Sequence, residues 1–231
     1  MALPTSLKER AYEELLSCLL RGEFVPGDLL NRRGMATRLG MSPAPVHEAM
    51  IQLERDGFLE ALPRLGTRVR TVSRADVYGH LVVREAFECQ AARMICGRRV
   101  TAAYARLLPL AEALDAPDPS DAHRARGEVS FHVALVELAD CPTLLREYRR
   151  IMQIGLFYRI NLLMNMPSRL PVNRHRTLLE MLVRRSPTEA DACVREHIWS
   201  GKPDMVRGAC SRPDSQPPLS RVLDRPDQPP A

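Results

Sequence analysis

Apolar positions recur three and four residues apart through most of the chain, so the predicted elements are nearly all helices. Leu7, Ala11, Leu15, Leu19 and Leu20 share one face and predict a helix over 7–20, ended near Gly22. Residues 24–28, FVPGD, read as a turn. A short helix is predicted over 32–39, with Met35, Ala36 and Leu39 inward, and Gly40 stops it. Ser42 can cap the next helix, with Pro43 at its first position, where a missing N–H costs nothing. That helix runs through Val46, Ala49, Met50 and Leu53 to about Asp56. After Gly57, residues 58–62 read as a strand, 63–66 as a turn and 67–72 as the return strand. Helix, helix, glycine turn, helix and hairpin in that order make a winged helix-turn-helix.

From Ser73 onward the pattern is purely helical. Ser73 and Asp76 form a capping box that opens a helix to about Cys96. Further helices are predicted over 102–114, 121–139, 142–165, 172–185 and 187–207, the last opened by Ser186 and Glu189. Six such helices imply an all-α bundle large enough to enclose a small-molecule cavity. Residues 212–231 hold six of the 19 prolines and few large apolar side chains, a composition that predicts disorder. The expected fold is therefore mainly α: an N-terminal winged helix-turn-helix over 1–72, a C-terminal all-α bundle over 73–207, and a Pro-rich tail over 208–231.

Composition narrows the class. The 231 residues are 45% hydrophobic and 26% charged, the balance of a chain with a real core. No run of about 18 apolar residues occurs, and the N-terminus has no apolar signal core, so a cytoplasmic protein without membrane contact is expected. Six scattered cysteines with no C-x-x-C pair read as reduced thiols. The net charge is +5, and 31 of the 33 basic residues are arginines. Its placement says more than its size. Residues 29–72 carry seven arginines against four acids, whereas 1–28 carry three bases against five. A surface that displaces counterions from phosphates needs such clustering, here Arg32, Arg33, Arg38, Arg64, Arg68 and Arg70.

Candidate chemistry lies in the bundle. Glu128 and His132 are four apart and share a helix face, and His175 and His197 fall on the last two helices. One carboxylate and three imidazoles suit a divalent transition ion with positions left for water or a ligand carboxylate. The same residues also fit a helix-surface Glu–His pair, with His175 in solvent between Arg174 and Arg176. Arg84 shares a face with Leu81 and Glu88. It is either a cavity-wall arginine for an effector carboxylate or the partner of Glu88. His47, His80 and His123 are set aside as ligands.

The residues also resemble a known family. Residues 30–59, LNRRGMATRLGMSPAPVHEAMIQLERDGFL, followed by LGTRV at 65–69, are similar to the DNA-binding head of the GntR bacterial regulators. Ser42, Pro45-Val46, Glu48-Ala49, Leu53, Gly57 and Gly66 carry the match. The resemblance implies that the helix from Pro43 reads the major groove beside the wing, with Arg32, Arg33, Arg38, Ser42, Ala44, His47, Arg64 and Arg68 facing double-stranded operator DNA. Pro43 and His47 stand where many members carry arginines, and Arg32 stands where an acid is common. A histidine offers guanine one donor and a proline none, so operator choice departs from those members.

In the bundle, Arg84 with Glu88, Phe131-His132, Pro142, His175 and His197-Ile198 resemble the FCD-type effector domain of the FadR subfamily. Cys141 stands where a small polar residue is usual. That resemblance implies a divalent ion, zinc or nickel, held by His132, His175 and His197, with Glu128 in place of the usual Asp. It further implies a homodimeric regulator, a repressor released by a small carboxylate bound at the metal and Arg84. No acid or base motif lies outside the metal set, so an enzyme is not expected. Two alternatives remain open: a metal-dependent enzyme with a DNA-binding head, and a metal-free acyl-chain sensor.

Overall fold

The computed structural model describes residues 6–116, 121–158 and 174–200. The head opens on α1 (Leu7–Leu20), capped reciprocally by Ser6 and Glu9, whose backbone N–H groups each bond the other's side chain. Ala11, Leu15, Leu16, Cys18 and Leu19 form its buried face. Leu7, expected inward, is 54% exposed because it is the first residue of the helix and has no turn beneath it.

α2 (Arg32–Leu39) is capped by Asn31, which accepts from the N–H groups of Arg33 and Gly34. It ends at Gly40, whose φ of 60° is the left-handed conformation that closes a helix at least cost in glycine. α3 (Pro43–Arg55) follows after two residues and buries Val46, Ala49, Met50 and Leu53. Ser42 holds the N-cap position, but its side chain makes no capping hydrogen bond. The expected cap is therefore backbone geometry and Pro43 alone.

A three-stranded sheet completes the head, in the order β1-β3-β2 and antiparallel throughout. β2 (Leu59–Leu62) and β3 (Gly66–Val69) form the wing, with Arg64 at φ 66° in the turn. The return strand stops three residues before the predicted end. β1 (Leu29–Leu30) pairs with Thr67 and Arg68, and two residues are too few to show an alternation in sequence.

The bundle begins with α4 (Arg74–Ile95), opened by the Ser73–Asp76 capping box, in which both reciprocal bonds form. α5 (Arg98–Asp115) starts four residues earlier than its apolar pattern predicts. Gly97 at φ 74° reverses the chain, and its N–H donates 2.8 Å to the Leu182 carbonyl, so the helix can begin at once. α6 (Asp121–Glu137), α7 (Pro142–Tyr158), α8 (Arg174–Arg184) and α9 (Pro187–Trp199) complete the described part. The predicted extensions to 165 and 207, and the tail over 208–231, lie outside the described residues. α4 packs on α9 and α7, and α5 packs on α8 and α6, so inward side chains of four helices converge. Head and bundle meet where the Phe58 and Phe157 rings pack edge to face at 5.4 Å and Arg150 pairs with Asp56.

Among the described residues no helix is long and apolar enough to cross a membrane. The five cysteines within them are free thiols.

Candidate functional site

Four helices bring six side chains to a common point inside the bundle. α6 supplies Glu128 and His132, α8 supplies His175 and α9 supplies His197, while Arg84 and Glu88 project from α4. His132 is fully buried, His175 is 2% exposed and His197 6%. Neither the helix-surface pair nor the solvent-facing His175 therefore describes this chain. The imidazole rings lie 5.0–5.8 Å apart by centroid, and one nitrogen of each falls within 4.8 Å of the others.

The ring orientations have identifiable causes. His132 Nδ1 lies 2.9 Å from Glu88 Oε2, and His175 Nδ1 lies 2.9 Å from Asp115 Oδ1. A carboxylate can only accept, so the His175–Asp115 hydrogen bond places that ring's proton on Nδ1 and leaves its Nε2 lone pair toward the cluster, whereas His132 Nδ1 approaches Glu88 without the geometry of a hydrogen bond. Asp115, at the end of α5, also accepts from the backbone N–H groups of His175 and Arg176. It thus caps α8 from a neighbouring helix and sets the first turn that carries His175. Glu88 is held in turn: Arg84 Nε donates to it, and Tyr148 on α7 donates 2.6 Å to its Oε1.

Close helix approach makes room for this. A Cβ on Gly127, beside Glu128, would stand 2.7 Å from Leu114 Cδ2, so a larger residue there would oblige the Leu114 side chain to move.

Electrostatics set the charge states. Burial opposes ionisation of Glu88, but Arg84 and then His132 hold its carboxyl well below the usual carboxylate range. Burial opposes ionisation of Glu128 too, but the adjacent His132 and His175 rings hold its carboxyl well below its ordinary value. Burial, together with Arg174 and the other two imidazoles, pushes His197 far below the usual histidine value, so it is neutral with a lone pair available. Nε2 of all three histidines is buried without a hydrogen-bond partner. Glu128 Oε1 stands 3.2 Å from His175 Nε2, and Oε2 stands 3.6 Å from His132 Nε2. Three orphaned imidazole nitrogens and one adjacent carboxylate fit a divalent transition ion.

Arg84 is 7% exposed and forms the Glu88 ion pair that the sequence offered as one of its two readings, and its Nη2 is buried with no hydrogen-bond partner. Sequence reasoning did not find Asp115, Tyr148 or Arg174. Asp115 and Tyr148 are 60 residues from their partners, and Arg174, flanking His175, reads as solvated until its 7% exposure is seen.

In the head, Ser42 and Ala44 are exposed at the start of α3, and His47 is half-buried one turn on. The basic residues separate into two groups. Arg38 pairs with Glu23 and stacks over Phe24, Arg68 pairs with Glu60 at 2.8 Å, and Arg70 pairs with Asp76 at 2.5 Å. Arg32, Arg33 and Arg64 form no ion pair with the described residues. They line one open groove of about 880 Å³ between the start of α2 and the wing tip.

A winged helix-turn-helix head with a groove lined by arginines unpaired among the described residues is joined to a helical bundle that buries a cluster of three imidazoles. Comparison with known proteins gives the family. The model of the bacterial regulatory proteins of the gntR family matches residues 7–69, and that of the FCD domain matches residues 80–199. The chain belongs to the FCD-domain GntR regulators, a family of transcriptional regulators and not of enzymes.

Among its relatives, the uncharacterized HTH-type transcriptional regulator YdhC of Bacillus subtilis is 35% identical over 74 residues, 32% of this chain. This chain spans only 33% of the length of YdhC. The HTH-type transcriptional repressor GlaR of Escherichia coli is 23% identical over 203 residues, covering 83% of this chain and 92% of GlaR. The crystal structure of a putative transcriptional regulator GntR from Rhodococcus sp. RHA1 shares the fold, with a TM-score of 0.71 at 18% identity. It covers 87% of this chain and 98% of that one.

Proposed function

We propose that this protein is a cytoplasmic repressor that binds a palindromic operator as a homodimer. Its DNA affinity is set by a divalent ion and a small carboxylate held in the helical domain. In this reading residues 1–72 are the DNA-binding head, 73–207 the sensory domain and 208–231 a disordered tail. His132, His175 and His197, with Glu128, hold zinc or nickel, and Arg84 takes the effector carboxylate. Arg32, Arg33 and Arg64 contact phosphates around the groove, while Ser42, Ala44 and His47 face base edges from α3. Arg38 and Arg68 join them once their ion pairs open.

The observation that carries this reading is the trio of buried imidazoles whose Nε2 atoms have no hydrogen-bond partner. Buried polar atoms are rarely left unsatisfied, and three converging on one point are explained together by one cation. Bound there, the ion would supply Lewis acidity toward a carboxylate oxygen, while Arg84 orients the anion. The same polar walls disfavour an acyl chain, which needs an apolar lining.

An effector acts only through a difference in affinity between the DNA-binding and released states. Operator affinity, measured on half-sites selected from random DNA, is expected to fall when zinc and a carboxylate are both present. Identical affinities across a carboxylate series with and without zinc would contradict the reading.

A further inference from the structure

We infer that Arg174 is a second anion-binding arginine of the chamber, and that Arg84 and Arg174 together take the single carboxylate of a monoanionic ligand. The inference rests on the reading that the three imidazoles hold a divalent ion.

Arg174 is the first residue of α8, yet it is 7% exposed. Its Nη2 donates to the His197 carbonyl, and its Nε is buried with no partner. Arg84 is matched in burial: its Nε serves Glu88, and its Nη2 is buried with no partner. The two guanidinium groups approach opposite oxygens of the Glu128 carboxylate, Arg84 Nη2 at 4.0 Å from Oε2 and Arg174 Nη1 at 3.8 Å from Oε1. Both distances exceed a hydrogen bond, so Glu128 neutralises the pair without satisfying its donors. Two buried like charges with orphaned donors beside one carboxylate are costly unless a further acceptor completes them. A carboxylate has two oxygens and is the group a guanidinium fork matches best.

Charge decides how many carboxylates the ligand carries. Counted formally, with imidazoles taken as uncharged, two arginines face three carboxylates in the cluster (Glu88, Glu128 and Asp115), a net of one negative charge. A divalent ion turns that into one positive charge, which a monoanion cancels. A dianion leaves the buried chamber negative, the more costly state. The pair therefore favours a monocarboxylate over a dicarboxylate of equal length.

Titration calorimetry on the full-length, zinc-loaded protein tests this with butyrate and succinate. Wild type is expected to bind butyrate about tenfold tighter than succinate, and Arg174→Gln to lose about tenfold in butyrate affinity while keeping the wild-type zinc content. Arg174→Lys, which keeps the charge but not the fork, is expected to fall between. A zinc-replete, folded Arg174→Gln protein that binds butyrate as wild type does would overturn the proposal. So would wild-type preference for succinate, which decides the matter if Arg174→Gln does not fold. A residue that merely braces the His197 carbonyl would change zinc content or melting and leave the butyrate-to-succinate ratio alone. If wild type takes up no zinc, the metal reading itself has failed. If it takes zinc but neither acid, the carboxylate reading has failed and this proposal falls with it.

Discussion

The Tyr148 hydroxyl donates 2.6 Å to Glu88 Oε1, and the other oxygen of that carboxylate meets His132 Nδ1 at 2.9 Å. α7, which supplies no ligand, therefore fixes the orientation of one. Tyr148→Phe removes a hydrogen bond to a buried charge and is expected to cost about 1.5–3 kcal/mol in denaturant unfolding. Because supporting carboxylates tune the imidazole they hold, zinc affinity is expected to fall about tenfold. Unchanged stability and affinity would mean that the hydroxyl does not support the site.

The same helix touches the head two residues later. Asp56 is 6% exposed and accepts from the Tyr12 hydroxyl at 2.8 Å, while Arg150 pairs with it from a half-exposed position. Arg150→Ala loses only a partly screened ion pair and is expected to cost under about 1 kcal/mol. Asp56→Ala strips the Tyr12 hydroxyl of its acceptor as well and is expected to cost about 1–3 kcal/mol. Equal losses in the two variants, measured by urea unfolding, would contradict this division.

Much of this was legible in the sequence, for a physical reason. The winged head is built from local signals, such as Gly40 in its left-handed turn and the apolar spacing of α3, and its elements fall within a few residues of prediction. The capping boxes at Ser73 and Ser186 both form. The imidazoles were found by spacing and resemblance, but their burial was not, since His175 sits between two arginines. What escaped entirely is long-range: Asp115 capping α8, Tyr148 reaching Glu88, and the two-residue β1, whose residues Leu29 and Leu30 pair with Arg68 and Thr67.

On the DNA side, the ion pairs rank the arginines. Arg33 and Arg64 have no acidic partner among the described residues, whereas Arg68 already faces Glu60. Arg33→Ala and Arg64→Ala are each expected to reduce the slope of log affinity against log salt by about 0.9. Arg68→Ala is expected to change it less, since the released Glu60 also repels phosphate. A larger change for Arg68 than for Arg33 would reverse the assignment.

The cap of α9 gives a pH dependence. The Ser186 backbone N–H, then the Ser186 side chain and Arg185, pull the Glu189 carboxyl down from 4.5 to about 2. Its folded-state value is lowered, so its contribution is present above pH 4.5 and fades as pH falls from about 4.5 toward 2. Glu189→Gln is expected to remove that component, leaving a flatter stability curve in this window than wild type. Parallel curves for the two proteins in acid unfolding would show that the cap contributes nothing.

The central claim is that His132, His175 and His197 form one cation site. Elemental analysis of the full-length protein after zinc loading and desalting tests it most directly. About one zinc per chain is expected in wild type, with loss of the ion in His132→Ala and in His175→Ala. Retention of the same zinc content by folded forms of both variants, or its absence from wild type, would contradict the account.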